Sequence, residues 1–257
     1  MLDCVSTQNM RESDAYTIEN FVPSLTLMYR AAMGIYRAAQ YKGETVIAAG
    51  SGNNGGDGFA LACILAQNGF SCRVVTLSEK RSPDSAFYAG IAESLGVPVS
   101  PYAPGAFSGA DVIADCLLGT GFHGKPRPPY DEAIREINGS PAFTVSADIN
   151  SGMNGDTGEY EIAVASDITV TIGFIKRGLV TNKASKKIGR LVCADIGIRL
   201  LREEWKLVGP KERREELYGD EKYILLPEYA DTDIIDVSTL PLPEAFPSSS
   251  PGQCRDT

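Results

Sequence analysis

Thr45–Gly69, TVIAAGSGNNGGDGFALACILAQNG, decides the fold. Thr45 to Ala49 is a short apolar run with β-branched residues, the pattern of a buried strand, and Gly50 ends it. From Asp57 to Asn68 the apolar residues recur at helical spacing, and Gly69 supplies the stop. A strand, a glycine-rich loop and a helix in that order begin a parallel α/β unit.

The same alternation continues downstream. Strands are predicted at Cys72–Leu77, Val97–Ser100, Asp111–Leu118, Ala142–Asp148, Ile168–Ile172 and Leu191–Ile196. Helices are predicted at Pro83–Leu95, with Ser82 as cap and Gly96 just past the end, and at Tyr130–Ile137. Upstream, one helix runs from Ser6 or Thr7 to about Asn20, and a second from Pro23-Ser24 fades at Lys42-Gly43. This spacing implies right-handed crossovers and an α/β fold: a Rossmann-like three-layer sandwich with a mostly parallel sheet, helices on both faces and two N-terminal helices before the first strand. Residues 1–200 are expected to form this domain. Residues 201–257 turn charged and then Pro/Ser-rich, and read as an extension with a short helix around Lys211–Tyr218 and a disordered end.

With 43% hydrophobic and 22% charged residues, the chain has the balance of a globular protein. Its 33 acidic against 24 basic residues leave a net charge of -9, which disfavours a nucleic-acid partner. Six scattered cysteines form no C-x-x-C pair and read as reduced, buried thiols. Without a leader-like start or a long apolar run, a cytoplasmic protein with no membrane association is expected.

In a parallel sheet, ligands gather at the carboxyl ends of the strands, so the loops leaving the strands are informative. Gly50-x-Gly52-x-x-Gly55 is formally a dinucleotide fingerprint, with Glu79 at about the distance of a ribose-binding acid. Asn53 and Asn54 add side-chain amides, while Asp57 is placed at the helix start, where it would compete with a bound pyrophosphate; an ordinary redox site is disfavoured. The Asp115–Lys125 loop, DCLLGTGFHGK, offers free backbone N–H groups at Gly119 and Gly121 and positive charge at Lys125 for an anion. His123 lies in that loop, and Tyr130 follows it where a ring could pack on a flat ligand. Asp148 and Ser151 lie in a third loop, Asp148–Gly158, and Asn54, Asp115, Asp148 and Ser151 offer oxygen donors suited to a hard cation. Lys176, in Gly173–Gly178, could face the same cleft or serve as an ordinary surface lysine.

These segments resemble the YjeF N-terminal domain family, the NAD(P)HX epimerases. GSGNNGGDG at Gly50–Gly58 matches the family's G-x-G-N-N-G-G-D-G in full; Asp115–Gly121 is similar to its D-x-x-x-G-x-G, Asp148–Gly152 to its D-I-P-S-G, and Lys176–Leu179 to its K-x-G-L. The resemblance covers about residues 6 to 200. It implies epimerisation of the R and S forms of NADHX and NADPHX, hydrated nicotinamide cofactors, so that a separate S-specific dehydratase can restore the cofactor. It further implies that Asn53, Asn54, Gly55, Gly56 and Asp57, then Gly119, Thr120, Gly121, Phe122, His123, Gly124 and Lys125, with Tyr130 and Asp148, contact the substrate. Asp148 is the expected catalytic residue, and one potassium ion per subunit is expected on Asn54, Asp115 and Ser151. Two departures stand out: Asn150, where many relatives have proline, is expected to loosen the turn, and Tyr29 replaces an acidic residue. The alternative is a non-catalytic binding or scaffold module of the same fold. The apolar N-terminal helices could form a homodimer interface.

Overall fold

The computed structural model describes residues 2–208, 223–225 and 230–242, and the helix expected at Lys211–Tyr218 lies outside them. The chain begins with β1 (Leu2–Val5), α1 (Thr7–Asn20) and α2 (Ser24–Ala38). An alternating stretch follows: β2 (Glu44–Ala49), α3 (Asn53–Gln67), β3 (Ser71–Thr76), α4 (Pro83–Ser94), β4 (Val99–Pro101), β5 (Val112–Cys116), α5 (Tyr130–Gly139) and β6 (Phe143–Ala147). Next come β7 (Ile168–Ile172), β8 (Ile175–Lys176), a 3-10 turn at Arg177–Val180, α6 (Ser185–Ile188) and β9 (Arg190–Asp195). Three further strands, β10 (Trp205–Val208), β11 (Tyr223–Leu225) and β12 (Ala230–Asp236), complete the described elements.

Eight strands form one parallel sheet in the order β12-β9-β7-β6-β5-β2-β3-β4. The central strands β2, β5, β6 and β7 are buried along nearly their whole length, as a sheet covered on both sides requires. In β2, Ile47 and Ala49 face the core shared with α2, α3 and α4, while Val46 and Ala48 face the core that includes Ala133, Ile134 and Ile137 of α5. This is the expected three-layer α/β arrangement.

A second sheet was not anticipated. Its order is β11-β10-β1-β8, with β1 antiparallel to β10 and parallel to β8. The sequence places two helices first, whereas the four-residue β1 precedes them; a strand this short is specified by distant partners at Trp205–Leu207 and Ile175–Lys176, not by its own periodicity. The extension likewise contributes β12, which pairs in parallel with β9.

Candidate active site

The chain runs from β2 to β3 and β4 on one side of the sheet, then crosses to β5 on the other. That reversal between β2 and β5 is where an open parallel sheet forms a crevice. A cleft of about 650 Å³ lies there.

The glycine loop is shaped by close approach. Gly50 N–H donates to Cys116 O at 3.0 Å. A Cβ on Gly50 would stand 1.9 Å from Leu117 O, and one on Gly55 2.1 Å from Gly50 O, so no other residue fits either position without a shift. α3 starts at Asn53, with Gly52 before it and no side-chain cap. Its first-turn N–H groups are therefore available to an anion. The sequence placed Asp57 at the helix start; the helix begins four residues earlier, and Asp57 lines the cleft from the second turn instead of capping.

Asp148 leaves β6 with φ 65°, the one positive φ outside glycine among the described residues. Such a conformation costs on the order of 1–3 kcal/mol and persists only where the surroundings impose it. Two contacts do so. Lys176 Nζ donates to Asp148 Oδ1 at 2.5 Å, and Thr120 N–H donates to Asp148 Oδ2 at 3.2 Å. Lys176 is fully buried, and its ammonium also donates to Ile172 O at 2.6 Å and Thr171 Oγ1 at 3.1 Å. It is thus no surface lysine: every donor has an acceptor, as a buried ammonium needs.

Asp14 of α1 and Asp84 of α4 share this cleft with Asp57, Asp148 and Lys176. Burial pushes the Asp57 carboxyl well above the usual carboxylate range, and the charges of Asp148 and Asp14 push further the same way against Lys176. Burial also raises Asp14, where Lys176 is the main opposing influence and Asp148 and Asp84 reinforce the rise.

Asp115 and Ser151 lie beneath the floor, both fully buried. Ser151 Oγ donates to Asp115 Oδ1 at 2.5 Å, and Ser151 N–H and Ser146 Oγ both donate to Oδ2 at 2.9 Å. Burial raises the Asp115 carboxyl while these bonds pull it back. Asn54 is 8% exposed, and neither its amide oxygen nor its amide nitrogen has a partner among the described residues. The point a Cβ on Gly119 would occupy is 3.1 Å from Asp148 Oδ2 and 3.3 Å from Asn54 Cβ, so these two side chains flank the same loop.

The structure thus gathers Asn53, Asn54, Asp57, Gly119, Thr120, Gly121, Phe122, His123 and Asp148 in the cleft lining. Gly55 and Gly56 are buried in α3 behind it. Gly124, Lys125 and Tyr130 are not part of the lining: Lys125 forms an exposed ion pair with Glu161, and Tyr130 opens α5 and packs on the core beneath it. Asn150 does not loosen its turn. Its buried amide donates to Val164 O, Ser166 Oγ and Lys187 O at 3.1, 2.9 and 2.9 Å and accepts from Thr169 Oγ1 at 2.8 Å. Asp14 escaped the sequence reading, although Met10, Asp14 and Ile18 share one helical stripe that would have flagged it.

A family model described as YjeF-related protein N-terminus matches residues 24–178. The NAD(P)H-hydrate epimerase of Limosilactobacillus fermentum is 35% identical over 202 residues, covering 74% of this chain and 95% of that protein. The bifunctional NAD(P)H-hydrate repair enzyme Nnr of Archaeoglobus fulgidus is 36% identical over 200 residues, covering 77% of this chain and 42% of that protein. The chain therefore spans nearly the length of the first relative and less than half that of the second. The crystal structure of yeast ynu0 shares the fold, with a TM-score of 0.63 at 21% identity over 69% of this chain and 83% of that one. On the family match and the identity to these relatives, the chain belongs to the YjeF-related N-terminal domain family.

Proposed function

We propose that this chain is an NAD(P)H-hydrate epimerase, an isomerase interconverting the R and S forms of NADHX and NADPHX. The observation that carries the proposal is the Lys176–Asp148 ion pair in a cleft whose wall is the uncapped start of α3. The relatives named as NAD(P)H-hydrate epimerases support it.

The cleft suits the substrate in parts. The first-turn N–H groups of α3 and the Gly119–Gly121 backbone would hold phosphate. Leu27, Met28, Ile172 and Ile198 give one wall an apolar surface for a flat ring. Loss of the C6 hydroxyl leaves a planar cationic ring, and water returning to the opposite face inverts C6. Asp148, fixed by Lys176 and Thr120, is the group placed to stabilise that cation or move a proton.

We also propose a potassium ion beneath the floor. Asn54 Oδ1 is a buried acceptor without a partner, and Asp115 is a buried carboxyl with no Lys or Arg paired to it among the described residues. The donors on offer are an amide oxygen, a carboxylate and a hydroxyl, the oxygen ligands that a hard cation takes. Asn54, Asp115 and Ser151 would hold it, and when bound it would supply positive charge that orders the glycine loop and the Asp148 loop. We further propose a cytoplasmic enzyme that acts as a homodimer and passes the S form to a separate dehydratase. The free, buried thiols among the described cysteines support a reducing compartment, and bifunctional relatives named for the whole repair support the coupling. Among the described residues, no helix is long and apolar enough to cross a membrane.

The test is chromatographic. Purified protein supplied with R-NADHX in potassium buffer should bring the R and S forms to equilibrium faster than a protein-free control. An unchanged rate with folded protein would sink the proposal.

A further inference from the structure

α1 stands outside the strand-helix alternation and is held by a polar stripe. Asn9, Ser13 and Thr17 are fully buried, an unusual fate for three polar residues on one helix face. Their partners are backbone groups of 199–202: Asn9 Nδ2 donates to Arg202 O at 2.7 Å, Leu201 N–H donates to Ser13 Oγ at 3.1 Å, and Arg199 N–H donates to Thr17 Oγ1 at 2.9 Å. At the start of the helix, Asp156 accepts from Thr7 N–H and Oγ1 at 2.7 and 2.6 Å, and Glu204 accepts from Ser6 N–H and Oγ at 2.6 and 2.9 Å. These bonds fix the rotation of α1 about its axis. The adjacent stripe, Met10, Asp14 and Ile18, is thereby turned into the cleft.

The Asp14 carboxyl forms no hydrogen bond or ion pair with any described residue, whereas that of Asp148 is committed to Lys176. Charged and titratable groups share the lining with Asp14: Lys176 from β8, Asp148 from the β6 exit, Asp57 from α3, Asp84 from α4, His123 from the loop after β5 and Arg11 from α1 itself. The cleft lining therefore holds one carboxyl bound to an ammonium and another that burial inclines to keep its proton, the pairing that separates an acid from a base.

We propose that Asp14 is a second catalytic residue of the epimerisation, the acid for one face of the ring as Asp148 is the base for the other. This rests on the epimerase function proposed above. In one direction the C6–O bond breaks with its electron pair on oxygen, and that oxygen takes the Asp14 proton and leaves as water. The ring carries the positive charge as an N1=C6 iminium. A water then adds to the opposite face of C6 and gives its proton to Asp148. The other direction uses the two carboxyls in reversed roles. Between turnovers, Asp148 returns its proton to solvent and Asp14 takes one up.

Asp14→Asn, with Asp14→Ser as a second variant and Asp14→Glu as the conservative one, is compared with the unaltered chain for equilibration of R- and S-NADHX across pH, with thermal melting as the check on folding. The expected result is a turnover about 10²-fold lower or more in Asp14→Asn and Asp14→Ser, KM within a few-fold, and partial recovery in Asp14→Glu. Because the acid works only while protonated, the unaltered chain loses rate as pH rises, and that alkaline fall should vanish with Asp14→Asn. Folded variants that turn over within threefold of the unaltered chain and keep its alkaline fall overturn the role of Asp14. A failure of the unaltered chain itself to epimerise overturns the proposed function instead.

Discussion

Lys176 Nζ stands 2.5 Å from Asp148 Oδ1, joining a lysine at the end of a two-residue strand to the one non-glycine residue with a left-handed backbone among the described residues. Removing the ammonium would strand a carboxylate that is only 9% exposed and also free the Thr171 and Ile172 acceptors. Breaking such a pair from one side costs about 3–5 kcal/mol. Lys176→Met should lower the melting temperature by roughly 10 °C and lose turnover as well. Differential scanning calorimetry with a rate assay checks this; an unchanged melting point would mean the pair carries no structural load.

The glycine loop separates two kinds of glycine. Gly50→Ala would press a methyl to 1.9 Å from Leu117 O, while a Cβ on Gly52 meets nothing within 4 Å. Urea denaturation should show a loss of about 1–3 kcal/mol or more for Gly50→Ala and less than about 1 kcal/mol for Gly52→Ala. Equal losses would contradict the close approach of the β2–α3 turn to the β5 exit.

Asp57 should trade stability for function. Burial holds its folded-state pKa well above the unfolded value, so the folded state binds more protons and is favoured at low pH. That contribution is lost as pH rises from the ordinary carboxylate range through the raised value. Asp57→Asn should therefore raise the melting temperature more at pH 8 than at pH 5, while weakening activity at the cleft it lines. A gain that is larger at pH 5 would have the wrong sign.

Asn150 should matter for stability and little for chemistry. Asn150→Ala removes the two amide hydrogens shared among the Val164 and Lys187 carbonyls and the Ser166 hydroxyl, and the acceptor of the Thr169 hydroxyl, at a cost of about 1–3 kcal/mol. Asp148 and Ser151 keep their own partners, so kcat should change by less than about threefold while the melting temperature falls. A loss of kcat with an unchanged melting point would contradict this assignment.

The potassium proposal has a readout without substrate. Replacing choline with potassium at equal ionic strength should raise the melting temperature of the unaltered chain, by linkage to the folded state. Asn54→Ala should abolish most of that rise; an equal rise in both would remove Asn54 from the site.

What could be read from the sequence was mostly local. Thr45–Gly69 gave up its strand, loop and helix because β2 and α3 are set by apolar spacing and by glycines a few residues apart. β1, β8 and β10 were invisible because two to four residues carry no period, and each exists through partners far along the chain. Lys176 was ambiguous for a related reason: its burial depends on Asp148, which only the fold brings to it. Lys125 looked like an anion ligand from its loop, but Glu161 competes for it at the surface. Asn150 looked like a weak point where proline is missing, yet its amide meets the 164–166 stretch, Thr169 of β7 and Lys187 of α6, which the turn itself does not reveal.

The most direct test of the account is Asp148→Asn, with R-to-S turnover followed by chromatography and substrate affinity by calorimetry on the same protein. Turnover is expected to be lower by about 10²–10⁴-fold with affinity within about tenfold, in protein that thermal melting shows to be folded, since the amide matches the carboxylate in shape but neither carries the charge nor pairs with the buried Lys176 ammonium. A variant that turns over like the unaltered chain would contradict the assignment of the chemistry to Asp148.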